Sequence, residues 1–348
     1  IAFGNTSSSI AVASPDGKVD VIANPAGDRA IPSVLSYVGD DEYHGAQAKA
    51  QLIRNPDNTV ANFRDYIGQK FADVKEPYES ASLKLVAAAD GFPGYEVKEG
   101  EVLSVPEVTK RHLAQLKLAA EDYIGSDVEG VVITVPTDFT AAQKEALTAI
   151  AAQLGLQVLQ LISEPSAALL AHLSQNKTKL LEDKVYVVAD FGGVRLDAAV
   201  ISVRGGIFTV LATAHKRLGG DNLDSALLEF FAKEFEKKYK ADPRKTARSL
   251  AKLRAELIVV KKTLSNVQSS TGLIESLADG FDFHTTINRL RFEIAARDPL
   301  LQMTAFVESV VKKAGYEVED IDEVLLAGGS SHIPKLASNV QFLFPEST

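Results

Sequence analysis

Four short segments combine glycine with small polar residues, a composition typical of turns that bind phosphate. They contain Gly4 in FGNTSSS, Gly192 in FGGVR, Gly219 in LGGDN and Gly328 in AGGSSH. Glycine permits positive φ and close backbone approach, so a run of N–H groups can surround a phosphate oxygen. One Gly-Gly pair alone is more often an ordinary hairpin turn, but four such segments in one chain favour a phosphate site.

The second of these segments lies in VVADFGGVRLDAAVISV from Val187, which is predicted to form two strands joined at a tight Gly-Gly turn. It carries an acid and two unexpected residues. Asp190 ends an apolar strand-like run just before Gly192, and its carboxylate either binds a divalent ion through water or caps the turn. Val194 and Arg195 follow, where a phosphate would need open backbone and a small hydroxyl. Glu164, after another apolar run, is either a functional carboxylate or an acid at a helix N-terminus, which the helix dipole favours.

An internal repeat indicates which elements position these residues. IAFGNTSSSIAV at the start of the chain resembles ADFGGVRLDAAV from Ala189, and DVEGVVITVP from Asp127 resembles DIDEVLLAGG from Asp320. Both copies alternate strand-like and helical patterns, which predicts an α/β fold. Ala2 occupies the position of Asp190 in the repeat, so only the second copy keeps that carboxylate.

The repeat predicts two duplicated lobes that face each other across a cleft, at the strand ends where α/β folds bind ligands. The first lobe is predicted to span 1–176 and the second 177–348. Residues 33–107 and 218–297 have no counterpart in the other copy. Each is therefore predicted to be a subdomain inserted into its lobe.

Two helical stretches are predicted around the junction of the lobes. Asp138–Gly155 has Thr140 and Gln143 at capping-box spacing, and its final glycine suits a helix C-terminus. A second helical stretch, 154–176, is predicted to join the lobes.

Composition excludes several classes of protein. The formal charge of −9 argues against direct binding to nucleic acid or to an anionic membrane. The absence of cysteine excludes disulfides and thiolate metal sites, and no apolar run approaches the ~18 residues of a membrane span. The chain starts inside an apolar run and has its one methionine at Met303, so it is interpreted as a fragment of a longer protein.

Motifs spread over nearly the whole chain resemble the nucleotide-binding domain of the seventy-kilodalton heat-shock chaperone family. They are IAFGNT, NPAGDRAIPS, NFRDYIGQKF, VVITVPTDFTAAQKEAL, ISEPSAALLA, ADFGGVRLDAAV, RLGGDNLD, KKTLS and LLAGGSSHIPKL. The resemblance implies the actin-like ATPase fold, with two duplicated lobes around a nucleotide cleft. It also implies ATP and Mg²⁺ as cofactors. The family couples ATP hydrolysis to a peptide-binding domain, which this fragment is expected to lack.

The chain departs from the family pattern where the resemblance places hydrolysis. Where the family has an acid that helps hold hydrated Mg²⁺ and potassium, this chain has Ala2. Where the family has a lysine that positions the attacking water, this chain has Arg64. In the second loop the third glycine is Val194 and the threonine is Arg195. The resemblance therefore implies very slow hydrolysis or none, although Glu164 and Asp190 are retained.

Nucleotide binding, by contrast, is expected to survive, with Mg²⁺ held through water near Asp190. Ile258 stands at the position of an adenosine-side glutamate of the family, and His332 at the position of the family arginine that stacks on adenine. The resemblance implies nucleotide contacts from Gly4, Asn5, Thr6, Gly192, Gly193, Arg195, Gly219, Gly220, Lys261, Lys262, Ser265, Gly328, Gly329, Ser330 and His332.

Arg195 has two interpretations. It grips a γ-phosphate bidentately, or it fills an empty phosphate site through a salt bridge to Asp190 or Asp197. Three functions accordingly stay open: an ATP-binding subunit without hydrolysis, a working ATPase with rearranged groups, and a scaffold that no longer binds nucleotide.

Within the family, GGVRLDAAV, AGGSSHIPKLASN and the altered first loop resemble the branch found in the fungal ribosome-associated complex. That branch forms a stable heterodimer with the J-protein zuotin and helps a ribosome-bound, hydrolysing chaperone act on nascent chains. The resemblance implies a cytoplasmic co-chaperone that reaches the ribosome through zuotin, with no direct contact to nucleic acid or membrane.

Overall fold

A computed structural model describes residues 1–13, 17–75, 78, 83–97, 100–175, 182–345 and 347. The chain divides into two compact units, Ile1–Glu164 and Pro165–Thr348. The lobe boundary predicted at residue 176 lies outside the described residues, so the position of that boundary stays a prediction.

The first unit is built mainly from short strands. Its strands are β1 (Ala2–Phe3), β2 (Ser7–Ala13), β3 (Val19–Ile22), β4 (Ile31–Pro32), β5 (Val34–Val38), β6 (Asp41–His44), β7 (Thr59–Ala61), β8 (Leu85–Ala87), β9 (Pro93–Val97), β10 (Glu101–Ser104), β11 (Gly130–Val135) and β12 (Gln157–Ser163). Its helices are α1 (Gly45–Ala50), α2 (Val105–Ile124) and α3 (Ala141–Gln153), with 3₁₀ turns at Gln51–Ile53, Pro56–Asn58, Arg64–Tyr66 and Phe71–Asp73.

Several small sheets hold these strands together. β1, β2 and β3 are neighbours in that order, with β4 paired to β2. β6, β5 and β7 form one antiparallel sheet, and β10, β9 and β8 form another. β11 and β12 pair in parallel. The six strands from β5 to β10 fall within the predicted insertion 33–107.

The second unit combines a four-stranded sheet with long helices. Its strands are β13 (Lys184–Phe191), β14 (Leu196–Arg204), β15 (Ile207–Lys216), β16 (Ser269–Ala278), β17 (Phe281–Asn288) and β18 (Glu323–Ala327). Its helices are α4 (Glu164–Ser174, beginning at the last residue of the first unit), α5 (Gly220–Tyr239), α6 (Ala247–Asn266), α7 (Arg289–Ala295), α8 (Arg297–Lys313) and α9 (Pro334–Leu343), with 3₁₀ turns at Val318–Asp320 and Gly329–His332.

The central sheet of this unit has the order β15-β14-β13-β18, and its two middle strands, β14 and β13, are buried on both faces. Along β13, alternate residues belong to different cores, as strand geometry requires. Val185 and Val187 join the large core shared with the helices, whereas Tyr186 and Val188 pack with Leu169 of α4. The mixed α/β fold expected from the sequence is confirmed.

The internal repeat is visible in each unit as a hairpin with a neighbouring strand. β1 and β2 pair antiparallel through Phe3 and Ser8, and β13 and β14 pair through Phe191 and Leu196. β18 runs parallel beside β13. β11 lies beside β1, where the Ile1 amino group donates to the carbonyl of its Val132 at 2.7 Å. The strand-turn-strand prediction for the second copy is confirmed, and the first copy has the same arrangement.

One of the two predicted helices is confirmed and the other is half wrong. α3 begins after Thr140, whose hydroxyl accepts from the Gln143 N–H while the Gln143 side chain bonds back, forming a capping box. The stretch predicted as helical from 154 to 176 instead contains β12, which pairs with β11, and of its described residues only Glu164–Ser174 are helical. Among the described residues, no helix is long and apolar enough to cross a membrane.

Candidate functional site

The first glycine turn joins β1 to β2 in the first unit. A Cβ at Gly4 would lie 2.2 Å from the Ser7 carbonyl oxygen, so this tight turn requires glycine. Asn5 is buried, and its Oδ1 accepts from the Arg64 N–H at 3.1 Å. The Asn5 Nδ2 has no hydrogen-bond partner among the described residues. Ala2 and Thr6 are exposed.

Arg64 is a buried charge whose guanidinium has several protein partners. Its side chain is 4% exposed. Nη1 donates to the Glu164 carboxylate at 2.7 Å and to the Phe3 carbonyl at 3.0 Å. Nε donates to Asp65 at 2.9 Å, and Nη2 lies 2.9 Å from the same Asp65 oxygen. The remaining Asp65 oxygen accepts from the Tyr78 hydroxyl.

This network assigns a definite role to Glu164. The sequence left it as either a functional carboxylate or a helix N-terminal acid. It is the first residue of α4 and also an ion-pair partner of Arg64. Breaking a buried ion pair is strongly unfavourable, because it leaves an uncompensated charge in the protein interior. The Arg64 guanidinium is thus fixed by protein groups on several sides.

The second glycine turn joins β13 to β14 in the second unit and repeats the geometry of the first. A Cβ at Gly192 would lie 2.6 Å from the Arg195 carbonyl oxygen. Val194 is 5% exposed, so its side chain is part of the packed interior. Arg195 forms a bidentate pair with Asp197, with Nε to Oδ2 at 2.5 Å and Nη2 to Oδ1 at 2.7 Å. The two side chains are only 9% and 4% exposed.

Backbone donors around this turn are less open than the sequence argument assumed. From the sequence, the N–H groups of the glycine segments are expected to be available to a phosphate. The Gly192 N–H donates to the Arg195 carbonyl at 2.9 Å, and the Gly220 N–H donates to the Gly192 carbonyl at 3.0 Å. The Gly219 N–H donates to the Asn222 side chain at 2.8 Å. The hairpin and the start of α5 already use these three N–H groups, and their contact with a nucleotide stays a prediction.

The N-terminus of α5 packs directly on the second turn. A Cβ at Gly219 would lie 2.5 Å from the Gly193 carbonyl, and one at Gly220 would lie 2.7 Å from Ser330 Oγ. Ser330 Oγ donates to the Gly192 carbonyl at 3.1 Å. These contacts bring together three glycine segments that are far apart in the sequence.

Lys261 of α6 reaches the same place. Its Nζ donates to the Gly220 carbonyl and to the Asp224 carboxylate, both at 2.8 Å. Ser265 lies one turn further along α6 and donates to the Lys261 carbonyl at 3.4 Å, while Lys262 is exposed. Of the predicted side chains Lys261, Lys262 and Ser265, Lys261 is therefore the one with a hydrogen bond to a glycine segment.

The last glycine segment covers the end of β13. Gly328 has a φ of 79°, and a Cβ there would lie 2.3 Å from Asp190 Oδ1. Asp190 is half-buried at this position. A Cβ at Gly329 would meet no atom within 4 Å, so this residue borders open space. His332, at the end of the same 3₁₀ turn, is exposed.

Sequence reasoning missed two acids that pair with predicted basic residues. Asp65 was visible as the neighbour of Arg64 in NFRDYIG, and Asp224 closes the RLGGDNLD motif. Their pairing depends on contacts that no local pattern shows. In the part of the chain that the structure describes, no group of three His, Asp or Glu residues is placed to hold a metal ion. The prediction of Mg²⁺ bound through water near Asp190 stays a prediction.

The residues present fit ATP with Mg²⁺ in part. In the second unit, open backbone at Gly329 and the Asp190 carboxylate beside Gly328 suit phosphate oxygens and hydrated metal. In the first unit, taken by itself, the unpartnered Asn5 Nδ2 is a donor that suits an oxygen ligand. Lys261 and Arg195 carry the right charge, but both are engaged with carboxylates. A nucleotide would therefore have to compete with internal ion pairs for these two cations.

Comparison with known proteins gives matches along the whole chain. A family model described as Hsp70 protein matches residues 1–347. Ribosome-associated complex subunit SSZ1 of Saccharomyces cerevisiae is 58% identical over 352 residues, covering 100% of this chain. A heat shock protein 70 homolog of Schizosaccharomyces pombe is 48% identical over 358 residues, again covering 100% of this chain. Heat shock 70 kDa protein 14-B of Xenopus laevis is 36% identical over 336 residues, covering 95%. The chain spans 65%, 62% and 66% of the length of these relatives.

Proposed function

The chain belongs to the Hsp70 family, as its motifs indicated, and on that premise we propose that it binds ATP with Mg²⁺ but hydrolyses it very slowly or not at all. We further propose that it acts as a subunit of a ribosome-associated complex. The actin-like arrangement of two duplicated lobes around a nucleotide cleft, implied by the resemblance, is part of this proposal.

The observation that carries catalytic silence is the fixation of Arg64. Phosphoryl transfer depends on positioned groups that stabilise charge and orient the nucleophile. Arg64 stands where the family resemblance places a water-positioning lysine, and its guanidinium is bonded to Glu164, Asp65 and the Phe3 carbonyl. A planar guanidinium held by three acceptors cannot orient a single water as a compact ammonium does.

The size of the loss follows from general measurements. Removing one general acid–base group costs about 10²–10⁴-fold in rate. Ala2 and Val194 also depart from the pattern that the resemblance implies, and losses of groups that act together do not multiply. We therefore expect the chemical step to be slower than in a hydrolysing relative by at least about 10²-fold.

Binding is supported by different residues from those that hydrolysis needs. The second unit places the α5 N-terminus against the second glycine turn, and the dipole of α5 favours an anion nearby even though the Gly219 and Gly220 N–H groups are bonded internally. Asp190 lies beside Gly328, where hydrated Mg²⁺ would be held, and the metal would supply charge neutralisation for the phosphates. In the first unit, the unpartnered Asn5 Nδ2 is a donor that a phosphate oxygen or water would satisfy.

A role in a ribosome-associated complex is supported by similarity to the yeast subunit with that name. We propose a stable heterodimer with a J-protein of the zuotin type, cytoplasmic location on the ribosome through that partner, and assistance to a hydrolysing chaperone there. Co-purification of the full-length protein with its J-protein from ribosome-bound fractions tests this part. Recovery only in ribosome-free fractions without a J-protein would contradict it.

A second candidate function is a scaffold that has lost nucleotide binding. The Arg195–Asp197 pair favours it, because it neutralises inside the protein the one cation introduced beside the second turn. Nucleotide content of the freshly purified chain separates the two candidates. ATP at close to one per chain supports the binding subunit, and nucleotide-free protein that still joins the J-protein supports the scaffold.

Single-turnover phosphate release tests catalytic silence. The chain is mixed with limiting γ-labelled ATP, and release is followed for a day beside a hydrolysing Hsp70 as reference. The matched variant combines Ala2→Asp, Arg64→Lys, Val194→Gly and Arg195→Thr. We expect little release from the wild type and faster release from the variant. Wild-type release at the reference rate would overturn the proposal.

A further inference from the structure

A chain of buried polar groups crosses the interior of the first unit and ends at the first glycine turn. His112 Nε2 of α2 lies 3.0 Å from Ser8 Oγ of β2. Ser8 Oγ lies 3.0 Å from Ser33 Oγ, and Ser33 Oγ donates to the Gly4 carbonyl at 2.8 Å. His112, Ser8 and Ser33 are each 1% exposed, so bulk solvent does not reach these bonds.

The direction of every proton in this chain is fixed by its last member. The Gly4 carbonyl can only accept, so Ser33 must use its hydroxyl hydrogen there. Ser33 then accepts from Ser8, and Ser8, having used its own hydrogen, must accept from His112. His112 is therefore neutral or protonated with a hydrogen on Nε2, because the other neutral tautomer would offer Ser8 no donor.

The surroundings of His112 select the neutral form. The rings of Phe3 and Phe63 lie 5.8 and 5.7 Å from the imidazole centre. Burial, and secondarily the charge of His44, lowers the pKa of His112 to about 3. At neutral pH the ring is thus an uncharged Nε2–H donor in an apolar pocket, since protonating it there is strongly unfavourable.

We propose that His112 is a positioning residue for the first glycine turn, acting through Ser8 and Ser33 to hold the Gly4 carbonyl toward the interior. Because the peptide group is planar and trans, turning this carbonyl inward points the Asn5 N–H the opposite way. That orientation presents a backbone donor on the side of the turn away from Ser33. The inference rests on the proposed function, in which this turn contacts ATP phosphates.

Four single variants separate positioning from simple packing. His112→Phe keeps a flat ring between Phe3 and Phe63 but removes the donor, and His112→Gln keeps an N–H donor. Ser33→Ala interrupts the series of hydrogen bonds at its other end, next to the Gly4 carbonyl. The matched control is Ser36→Ala, a fully buried serine of β5 whose Oγ lies 2.8 Å from Thr59 Oγ1 and which is not part of the chain.

Nuclear magnetic resonance reads the proton chain without any nucleotide. We expect the His112 ring nitrogens to show the neutral Nε2–H form from pH 7 down to about pH 4, given a pKa of about 3. We expect His112→Phe and Ser33→Ala to shift the Asn5 amide resonance, with Ser36→Ala leaving it in place. A hydrogen on Nδ1 alone, ring protonation near pH 6.5, or an unshifted Asn5 amide would each overturn the inference.

ATP affinity provides the functional arm. We expect His112→Phe and Ser33→Ala each to weaken ATP binding by about 3- to 10-fold, the range of one lost hydrogen bond. We expect the double variant His112→Phe with Ser33→Ala to bind ATP no more weakly than either single variant. We expect His112→Gln to bind ATP with the affinity of the wild type. Effects that simply multiply, or a Ser36→Ala loss of equal size, would contradict positioning. If the wild type binds no ATP, the proposed function fails, while the resonance arm still decides the role of His112.

Discussion

Replacing Arg195 by methionine is expected to destabilise the second unit strongly. The guanidinium makes two bonds to Asp197, at 2.5 and 2.7 Å, and the Asp197 side chain is 4% exposed. Arg195→Met keeps the length and most of the apolar stem of the side chain. It removes the positive charge, so the Asp197 carboxylate is left buried beside the second glycine turn without its partner.

The size of the effect follows from what a lone buried charge costs. Removing one member of a buried pair typically lowers the free energy of unfolding by about 3–5 kcal/mol. Replacing both members by groups without charge is often close to neutral. We therefore expect Arg195→Met to lose about 3–5 kcal/mol and the double variant with Asp197→Asn to regain most of it.

The free energy of unfolding in urea is measured for the wild type, for Arg195→Met, for Asp197→Asn and for the double variant, which together form a double-mutant cycle. Nucleotide is removed beforehand, so that ligand binding does not add to stability. A loss below about 1 kcal/mol for Arg195→Met, the range of an exposed pair, would refute the buried bidentate pairing. ATP affinity of the double variant is compared with that of the wild type. Tighter binding by the double variant would show that Arg195 fills the phosphate site, and weaker binding would show that it binds the phosphate.

Three further predictions concern the first unit. Arg64→Lys is expected to lower the free energy of unfolding by about 1–3 kcal/mol, since one ammonium cannot satisfy the acceptors of Arg64 with the same geometry. Phosphate release is expected to stay slow in this single variant, because Ala2, Val194 and Arg195 still depart from the family pattern. Urea unfolding and phosphate release measure this, and release at the rate of a hydrolysing Hsp70 would contradict it. Stability is expected to fall as the pH drops below about 6.5, by up to about 1.4 kcal/mol per pH unit from His112, because the unfolded chain takes up a proton that the folded chain with its pKa near 3 does not. His112→Phe should remove this slope in urea unfolding between pH 6.5 and 4.5, and parallel curves for the two proteins would exclude the buried neutral ring. Thr140→Ala removes the hydroxyl of the α3 capping box and is expected to cost about 1 kcal/mol in the same assay, with an unchanged midpoint as the contradicting result.

Local patterns predicted the elements whose signals are themselves local. The hairpin around Gly192 and the capping box of α3 were correct because turn glycines and cap spacing determine them over a few residues. The stretch before Glu164 was misassigned, since a short apolar run fits a strand or a helix equally well. Parallel pairing of β12 with β11 decides it, and that pairing joins separate parts of the chain.

The candidate site depended more on distant contacts than the motifs could reveal. Arg64 and Glu164 are 100 residues apart, and Ser8 and His112 are 104 apart. Neither sequence neighbourhood contains a sign of the other. The residue types at the two loops were readable from sequence, and a salt bridge between Arg195 and Asp197 was one of the alternatives that the sequence left open. The acidic partners of Arg64 and Lys261 were not readable, because burial and partner geometry arise only from tertiary packing.

Calorimetric titration of the nucleotide-stripped chain with ATP and Mg²⁺ tests the central claim most directly. The bound nucleotide is then released after a day and identified by chromatography. Saturable binding of one ATP, recovered intact, is the predicted result. Recovery of ADP would contradict catalytic silence, and no measurable binding would contradict the nucleotide site itself.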